Sequence, residues 1–476
     1  MTLSSHVETP RTTTTKRLAT DEDIVKTVER LRETFDSGAT RPLDWREREL
    51  RQLERLITDN EAEILEALHS DLGKCRFEGV VSETGYTLGE IRHTLKQLRN
   101  WAKPRRAKVP LAIQPAKASI ISEPLGLVLV IAPWNYPFQL AVGPLIAAIA
   151  AGNTAIVKPS EVAAATSALL SKLLPRYLDS SAFAVIEGGV SETTKLLEQR
   201  FDHILYTGNG AVGRIVMAAA AKHLTPVTLE LGGKSPCIVD ADVDLDVAAK
   251  RIVWGKFFNA GQTCIAADYL LLHESVAEQM LDRIRETVRS FYGADPRASS
   301  DFARIVNERH FDRLEKLLHS GTVVTGGVTD RESRYIAPTV LRDVAPDAPV
   351  MADEIFGPIL PTLTVASIDE AIRFVNARPK PLALYVFTRN QATADQVLHR
   401  TSSGGMCVND CLSHFAPPDL PFGGVGESGI GAYHGRFGFD TFSHQRAVLD
   451  KSTRVDPSLR YPPYGEDKLK WVKRLT

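Results

Sequence analysis

Cysteine is scarce in this chain: Cys75, Cys237, Cys264, Cys407 and Cys411 are the five among 476 residues. So few, in odd number and widely scattered, they exclude a disulfide framework and fit a reducing compartment, which makes the cytosol the expected location. A charge excess is also missing. Lys and Arg total 57 against 58 Asp and Glu, a formal net charge of −1, which gives no electrostatic case for a nucleic-acid partner and suits a neutral small substrate. Long apolar runs are absent as well. The longest mildly apolar stretch, 139–152, is interrupted by Gly143 and Pro144 and is shorter than the ~20 residues of a membrane span. The Thr-rich first 20 residues have no apolar core for a secretory signal and read as a disordered arm. The tail, 451–476, is polar and reads as carrying no membrane anchor.

What is present suggests several domains, since a single core stops growing at roughly 250–300 residues. Asp21 is placed to cap a helix whose apolar residues Ile24, Val28, Leu31 and Phe35 recur at helical spacing. Amphipathic helices are expected over 45–70 and 78–103, and the Pro- and Lys-rich stretch 104–115 then extends away as an arm. From Leu127 the pattern changes. Short apolar strands at 127–131, 154–158, 183–186, 204–207 and 227–231 alternate with Ala- and Leu-rich helices, which is the signature of a parallel sheet with crossover helices. A second α/β region follows, with helices over 244–259, 274–291 and 308–319 and strands over 269–272, 382–387 and 405–409.

Chemistry concentrates between residues 226 and 266. Glu230 stands in Leu-Glu-Leu-Gly-Gly-Lys-Ser-Pro and Cys264 in Asn-Ala-Gly-Gln-Thr-Cys, with one helix between them. A thiolate attacks carbonyl carbon and a carboxylate activates water, so the pair suggests covalent catalysis followed by hydrolysis. Just upstream, Gly208-Asn209-Gly210-Ala211-Val212-Gly213 matches G-x-G-x-x-G after a strand. Cofactor contact and helix-packing glycines stand as equal readings of it. Gly232-Gly233-Lys234-Ser235 resembles the end of a P-loop but lacks the first glycine, where Thr228 stands. Cys407, Cys411 and His414 have tolerable ligand spacing without a second cluster, so they read as packed side chains and no metal is expected. Lys158 and Glu161 end a strand as a donor and an acceptor suited to the hydroxyls of a ribose. Asn135, in Pro-Trp-Asn-Tyr-Pro, can donate its amide to an oxyanion.

Taken in order, Asn135, Lys158, Glu161, the Gly208–Gly213 turn, Glu230, Cys264, Glu354 with Phe356, and the glycine turn after Phe422 resemble the motifs of the aldehyde dehydrogenase superfamily. Phrases around Ala221–Glu230, Tyr335–Thr339 and Gly431–Gly435 resemble its class 3 branch, and the likeness runs from about residue 22 to about 463.

The resemblance implies two parallel-sheet α/β domains, a Rossmann-like cofactor domain (21–103 and 127–232) and a catalytic domain (233–413). A small β oligomerisation arm (104–126 and 414–440) would pair with a second subunit, giving a homodimer, and 441–476 would be a tail. It further implies NAD(P)-dependent oxidation of an aliphatic or aromatic aldehyde through a thioester on Cys264. In that scheme Asn135 holds the oxyanion and Glu230 is the base. Lys158 and Glu161 would take the adenosine ribose, Glu354 and Phe356 the nicotinamide ribose, and Gly208 and Gly213 would border the adenine side. Glu161 favours NAD over NADP, because a carboxylate repels a 2′-phosphate. Two rival activities remain: an acylating dehydrogenase, against which Glu230 argues, and a cysteine esterase without a redox step.

Overall fold

The computed structural model describes residues 20–475; residues 1–19 of the expected N-terminal arm lie outside them. Thr20 is not part of an arm. Its hydroxyl accepts from the N–H of Asp23 and the Asp23 carboxylate accepts from the Thr20 N–H, a capping box that starts helix Asp21–Asp36 one residue before the expected cap. Ile24, Val28 and Leu31 are buried from this helix. The expected helix over 78–103 is three pieces, Arg76–Gly79, a π-turn Val80–Thr84, and Gly85–Trp101.

Five parallel strands make the core of the first sheet: Leu127–Ile131, Thr154–Lys158, Phe183–Val185, His203–Thr207 and Val227–Glu230. Numbered by their order in the chain, they lie fifth, fourth, first, second, third, with Gly429–Ile430 added antiparallel beside the fifth. The order reverses between the first and fourth strands. Such a switch point opens a crevice beyond the carboxyl ends, where ligands of open α/β sheets bind. The strands are almost wholly buried and Val/Ile/Leu-rich, as a sheet covered on both faces requires.

The second sheet orders Thr322–Thr325, Thr339–Arg342, Ile359–Val365, Tyr269–His273, Pro236–Val239, Ala383–Phe387 and Gly405–Val408, parallel except at its first pair. Together these are the two parallel α/β sheets expected of an aldehyde dehydrogenase fold. A third, antiparallel sheet joins Arg105–Ala107, Ala116–Pro124 and Ser443–Lys451. Its outer member corrects the expected arm. Segment 414–440 does not pair with 116–124; it folds back to place Gly429–Ile430 on the first sheet. No helix among the described residues is long and apolar enough to cross a membrane.

Candidate active site

The carboxyl ends of the first sheet deliver one set of side chains. Lys158, last in its strand and buried, donates to the Pro159 carbonyl at 3.0 Å and pairs with Glu161 at 3.0 Å, whose side chain is half exposed. The Gly208 N–H donates to the Glu230 carbonyl at 2.9 Å, tying the glycine turn to the end of the next strand. Helix Gly210–Ala221 then starts under the Asn209 side chain, which accepts from the Val212 N–H. A Cβ on Gly208 would lie 2.2 Å from the Tyr206 hydroxyl, and one on Gly213 would lie 2.9 Å from a Leu231 methyl. Both glycines therefore permit close packing. Glu230 ends its strand buried, with Oε1 unpartnered, and burial holds its carboxyl well above the usual range.

The amino ends of the second sheet deliver the other set. Helix Leu245–Phe257 stops in a turn where Asn259, Ala260 and Gly261 all have φ between 51° and 73°. Ala260 has no side-chain compensation for a left-handed backbone, a cost of about 1–2 kcal/mol, so the turn needs outside bracing. Gln262 supplies part of it. Its side chain donates to the carbonyls of Asn259 and Arg304 and accepts from the Val306 N–H, all at 3.0 Å. Thr263 is tied to the Tyr136 hydroxyl at 2.5 Å, and Asn135 Nδ2 donates to the Gln262 carbonyl at 3.0 Å. Cys264 follows, half-buried. Burial, then Glu354 and Glu230, push its thiol up, while its own N–H and that of Ile265 work the other way.

Lys234 organises the third part. Its ammonium pairs with Asp268 at 2.5 Å and donates to the carbonyls of Val350 (2.8 Å) and Asp353 (2.9 Å); Asp268 in turn accepts from the Ile355 N–H at 3.1 Å. Glu354 is thereby held against Gly232, where a Cβ would come within 2.0 Å of its Oε2. Its Oε1 is buried without a partner, and burial, followed by Asp268, pushes the carboxyl up to about 8. Phe356, at φ 51°, meets the Trp134 ring edge-on at 5.2 Å.

One cavity of about 1090 Å³ joins these sets. Of the nine site residues expected from sequence, all but Gly213 line it, and Gly213 packs behind its wall on Leu231. Gly232, Lys234 and Asp268 were missed. Lys234 sits in the Gly-Gly-Lys-Ser string that fails as a P-loop; its actual partners lie far away in the chain, where no local pattern reveals them. The donor sets fit a dinucleotide. Glu354 offers a free acceptor and Lys158 with Glu161 a donor and an acceptor, the complements of two vicinal diols.

A family model described as the aldehyde dehydrogenase family matches residues 4–448. The chain belongs to the aldehyde dehydrogenase family. It is an oxidoreductase that oxidises an aldehyde to the carboxylic acid with NAD(P). Within the family its relatives lie in the class 3 branch. It is 54% identical over 446 residues to aldehyde dehydrogenase family 3 member A2 of Mus musculus, covering 93% of this chain and 92% of the relative. It is 52% identical to the Rattus norvegicus aldehyde dehydrogenase described as dimeric and NADP-preferring, covering 92% and 98%. Among solved aldehyde dehydrogenases, the substrate-bound state of Staphylococcus aureus AldH superposes with a TM-score of 0.93 at 46% identity, over 95% of this chain and 99% of that one.

Proposed function

We propose that Cys264 is the nucleophile of this aldehyde dehydrogenase, Asn135 and the Cys264 N–H its oxyanion donors, and Glu230 the base that hydrolyses the thioester. The observation that carries this is a thiol, a buried unpartnered carboxylate and a side-chain amide facing one cavity. The Cys264 thiolate bonds the aldehyde carbon and the carbonyl electron pair moves onto oxygen. One N–H of the Asn135 amide is used on Gln262, which leaves the second for that oxygen. The cofactor, when bound, supplies the hydride acceptor. Glu230, in its ionised form, then takes a proton from water, the water oxygen bonds the thioester carbon, and Cys264 departs as thiolate.

Glu354 with Phe356 would hold the nicotinamide ribose and Lys158 with Glu161 the adenosine ribose, with Gly208 bordering the adenine side. Glu161 supports NAD as the preferred cofactor. The cofactor domain spans 21–103 and 127–232 and the catalytic domain 233–413. The small sheet, with Ser443–Lys451 as its outer strand, is the dimer arm; its strands present unpaired edges on which a second subunit can add. The name of the rat relative supports a dimer and leaves NADP in play. Five free cysteines support the cytosol. Relative affinities for NAD and NADP and the mass in solution check the cofactor and dimer readings.

The decisive variant is Glu230→Gln. A stoichiometric burst of NADH should persist while steady-state turnover drops by about 10²-fold or more, because only deacylation loses its base. Unchanged turnover would remove Glu230 from the mechanism, and a lost burst would assign it to acylation instead.

A further inference from the structure

The segment linking helix Leu43–Leu72 to helix Gly85–Trp101 buries three ionisable side chains that none of the steps above uses: Lys74, Glu78 and Glu83. Lys74 and Glu83 pair at 2.6 Å with neither side chain exposed. A buried pair of this kind is unfavourable unless further hydrogen bonds satisfy both ions, and here they do. Lys74 Nζ also donates to the Asn135 carbonyl at 3.3 Å and sits 4.2 Å over the Tyr136 ring. The second oxygen of Glu83 accepts from the N–H groups of Phe138 (3.1 Å) and Gln139 (2.9 Å). It thus caps helix Gln139–Ala151, whose own N-cap residue Phe138 makes no side-chain cap.

Glu78 acts on the opposite side of the same centre. Its Oε2 accepts from the N–H of Asn259 at 3.0 Å, the first residue of the left-handed turn before Cys264. Asn259 Nδ2 donates to the Asn135 carbonyl at 2.9 Å and to the Gln262 carbonyl at 3.2 Å. That second carbonyl is the one the Asn135 amide itself contacts. The Asn135 backbone and side chain are therefore both gripped, and each grip leads back to residues 74–83. The π-turn Val80–Thr84 explains how one short segment reaches both. Residues five apart in a straight α-helix diverge by about 140°, whereas i→i+5 winding brings them toward one face, which turns Glu78 and Glu83 inward together.

We propose that Lys74, Glu78 and Glu83 are positioning residues for the oxyanion site, fixing the Asn135 amide and the Cys264 turn in their reactive orientation before aldehyde binds. This rests on Asn135 being an oxyanion donor. Apolar packing could bury the same helix, but it could not fix a peptide plane. Lys74 and Asn259 draw on one carbonyl while Glu83 draws on the N–H groups three and four residues later. A donor held this way needs no reorganisation when charge develops on the substrate oxygen.

The test is Lys74→Met/Glu83→Gln, which removes both charges and leaves an acceptor at 83 for the helix N–H groups. Pre-steady-state NADH formation should slow by about 10- to 100-fold, as expected for a misaimed catalytic group. Cofactor affinity, read by quenching of Trp fluorescence, and alkylation of Cys264 by iodoacetamide should hold within about twofold, because neither needs the Asn135 amide and the double variant leaves Glu78 in place on the Asn259 N–H of the Cys264 turn. Adding Asn135→Ala should cost no more than Asn135→Ala alone. An unchanged burst, or losses that multiply with Asn135→Ala, would reduce the cluster to a structural one. If the double variant does not fold, Glu78→Ala carries the same non-additivity test. Should Asn135→Ala itself leave the burst intact, the oxyanion assignment fails before the positioning one is reached.

Discussion

Cys264 stands among groups that disfavour its own thiolate. Burial raises its pKa first and Glu354 second, ahead of Glu230, and a neighbouring negative charge always costs a thiolate energy. Glu354 titrates at about 8, so its influence is felt on the alkaline side. Replacing it with Gln removes a negative charge, which lowers the thiol pKa and increases the thiolate fraction. Alkylation of the cofactor-free enzyme by iodoacetamide should therefore run severalfold faster in Glu354→Gln than in wild type at about pH 9. Equal rates would mean that the two groups do not share a field. The same residue shows the reach of sequence reading. Glu354 was legible as a site residue through family likeness, yet its orientation comes from Lys234, Asp268 and the missing Cβ of Gly232, none of which is local to it.

At the level of elements, strands buried on both faces announced themselves. Leu127–Ile131 and Thr154–Lys158 fall where their apolar, β-branched runs predict. Pro236–Val239 and Ile359–Val365 escaped notice because Pro236 and Pro361 look like breaks in a strand. Ser443–Lys451 escaped for a different reason. Its sequence is largely polar, since both faces of the small sheet are mostly solvated, and no hydrophobic alternation marks it. The left-handed turn Asn259–Gly261 is set by long-range bracing and has no sequence signature beyond its glycine. Turns of this kind leave sharp predictions. In Gly232→Ala the new methyl would overlap the Glu354 carboxylate at 2.0 Å, so the loop carrying Glu354 must move. Cofactor affinity should weaken about tenfold or more while the melting temperature shifts by only a few degrees. Unaltered cofactor titration in a folded Gly232→Ala protein would show that Glu354 does not hold the ribose.

Across the whole molecule, the buried ionisable groups give an unusual response to pH. Burial raises Glu78 to about 7 and Glu90 and Glu354 to about 8, and holds Glu230 well above the usual carboxylate range. The folded state thus keeps protons that the unfolded chain has lost, and the stability from these groups disappears as pH rises through their folded values. His203, His310 and His414, lowered to about 4, and His434, lowered to about 3, act oppositely, but only below the ordinary histidine range near 6.5. Lys256, lowered to about 8, opposes the carboxylates above that pH. Between about pH 6.5 and 8 the carboxylates act alone, so the melting temperature of the cofactor-free enzyme should fall across that window. Calorimetry at both ends decides it, and a flat or rising trend would show that water reaches these carboxylates in solution.

The small sheet sets a schedule as well as a shape. Its central strand Ala116–Pro124 is complete early in synthesis, but the register pairs Pro124 with Ser443 and Ala116 with Lys451. Until the C-terminal strand leaves the ribosome, the nascent chain carries one long strand edge exposed, while both larger sheets already have all their parallel strands. Closing so distant a pairing is slow, and an unpaired edge meanwhile invites the wrong neighbour. Emergence of residue 451 is thus the event that ends the vulnerable interval, and a chain stopped short of it would keep a folded-looking body with an open, aggregation-prone seam.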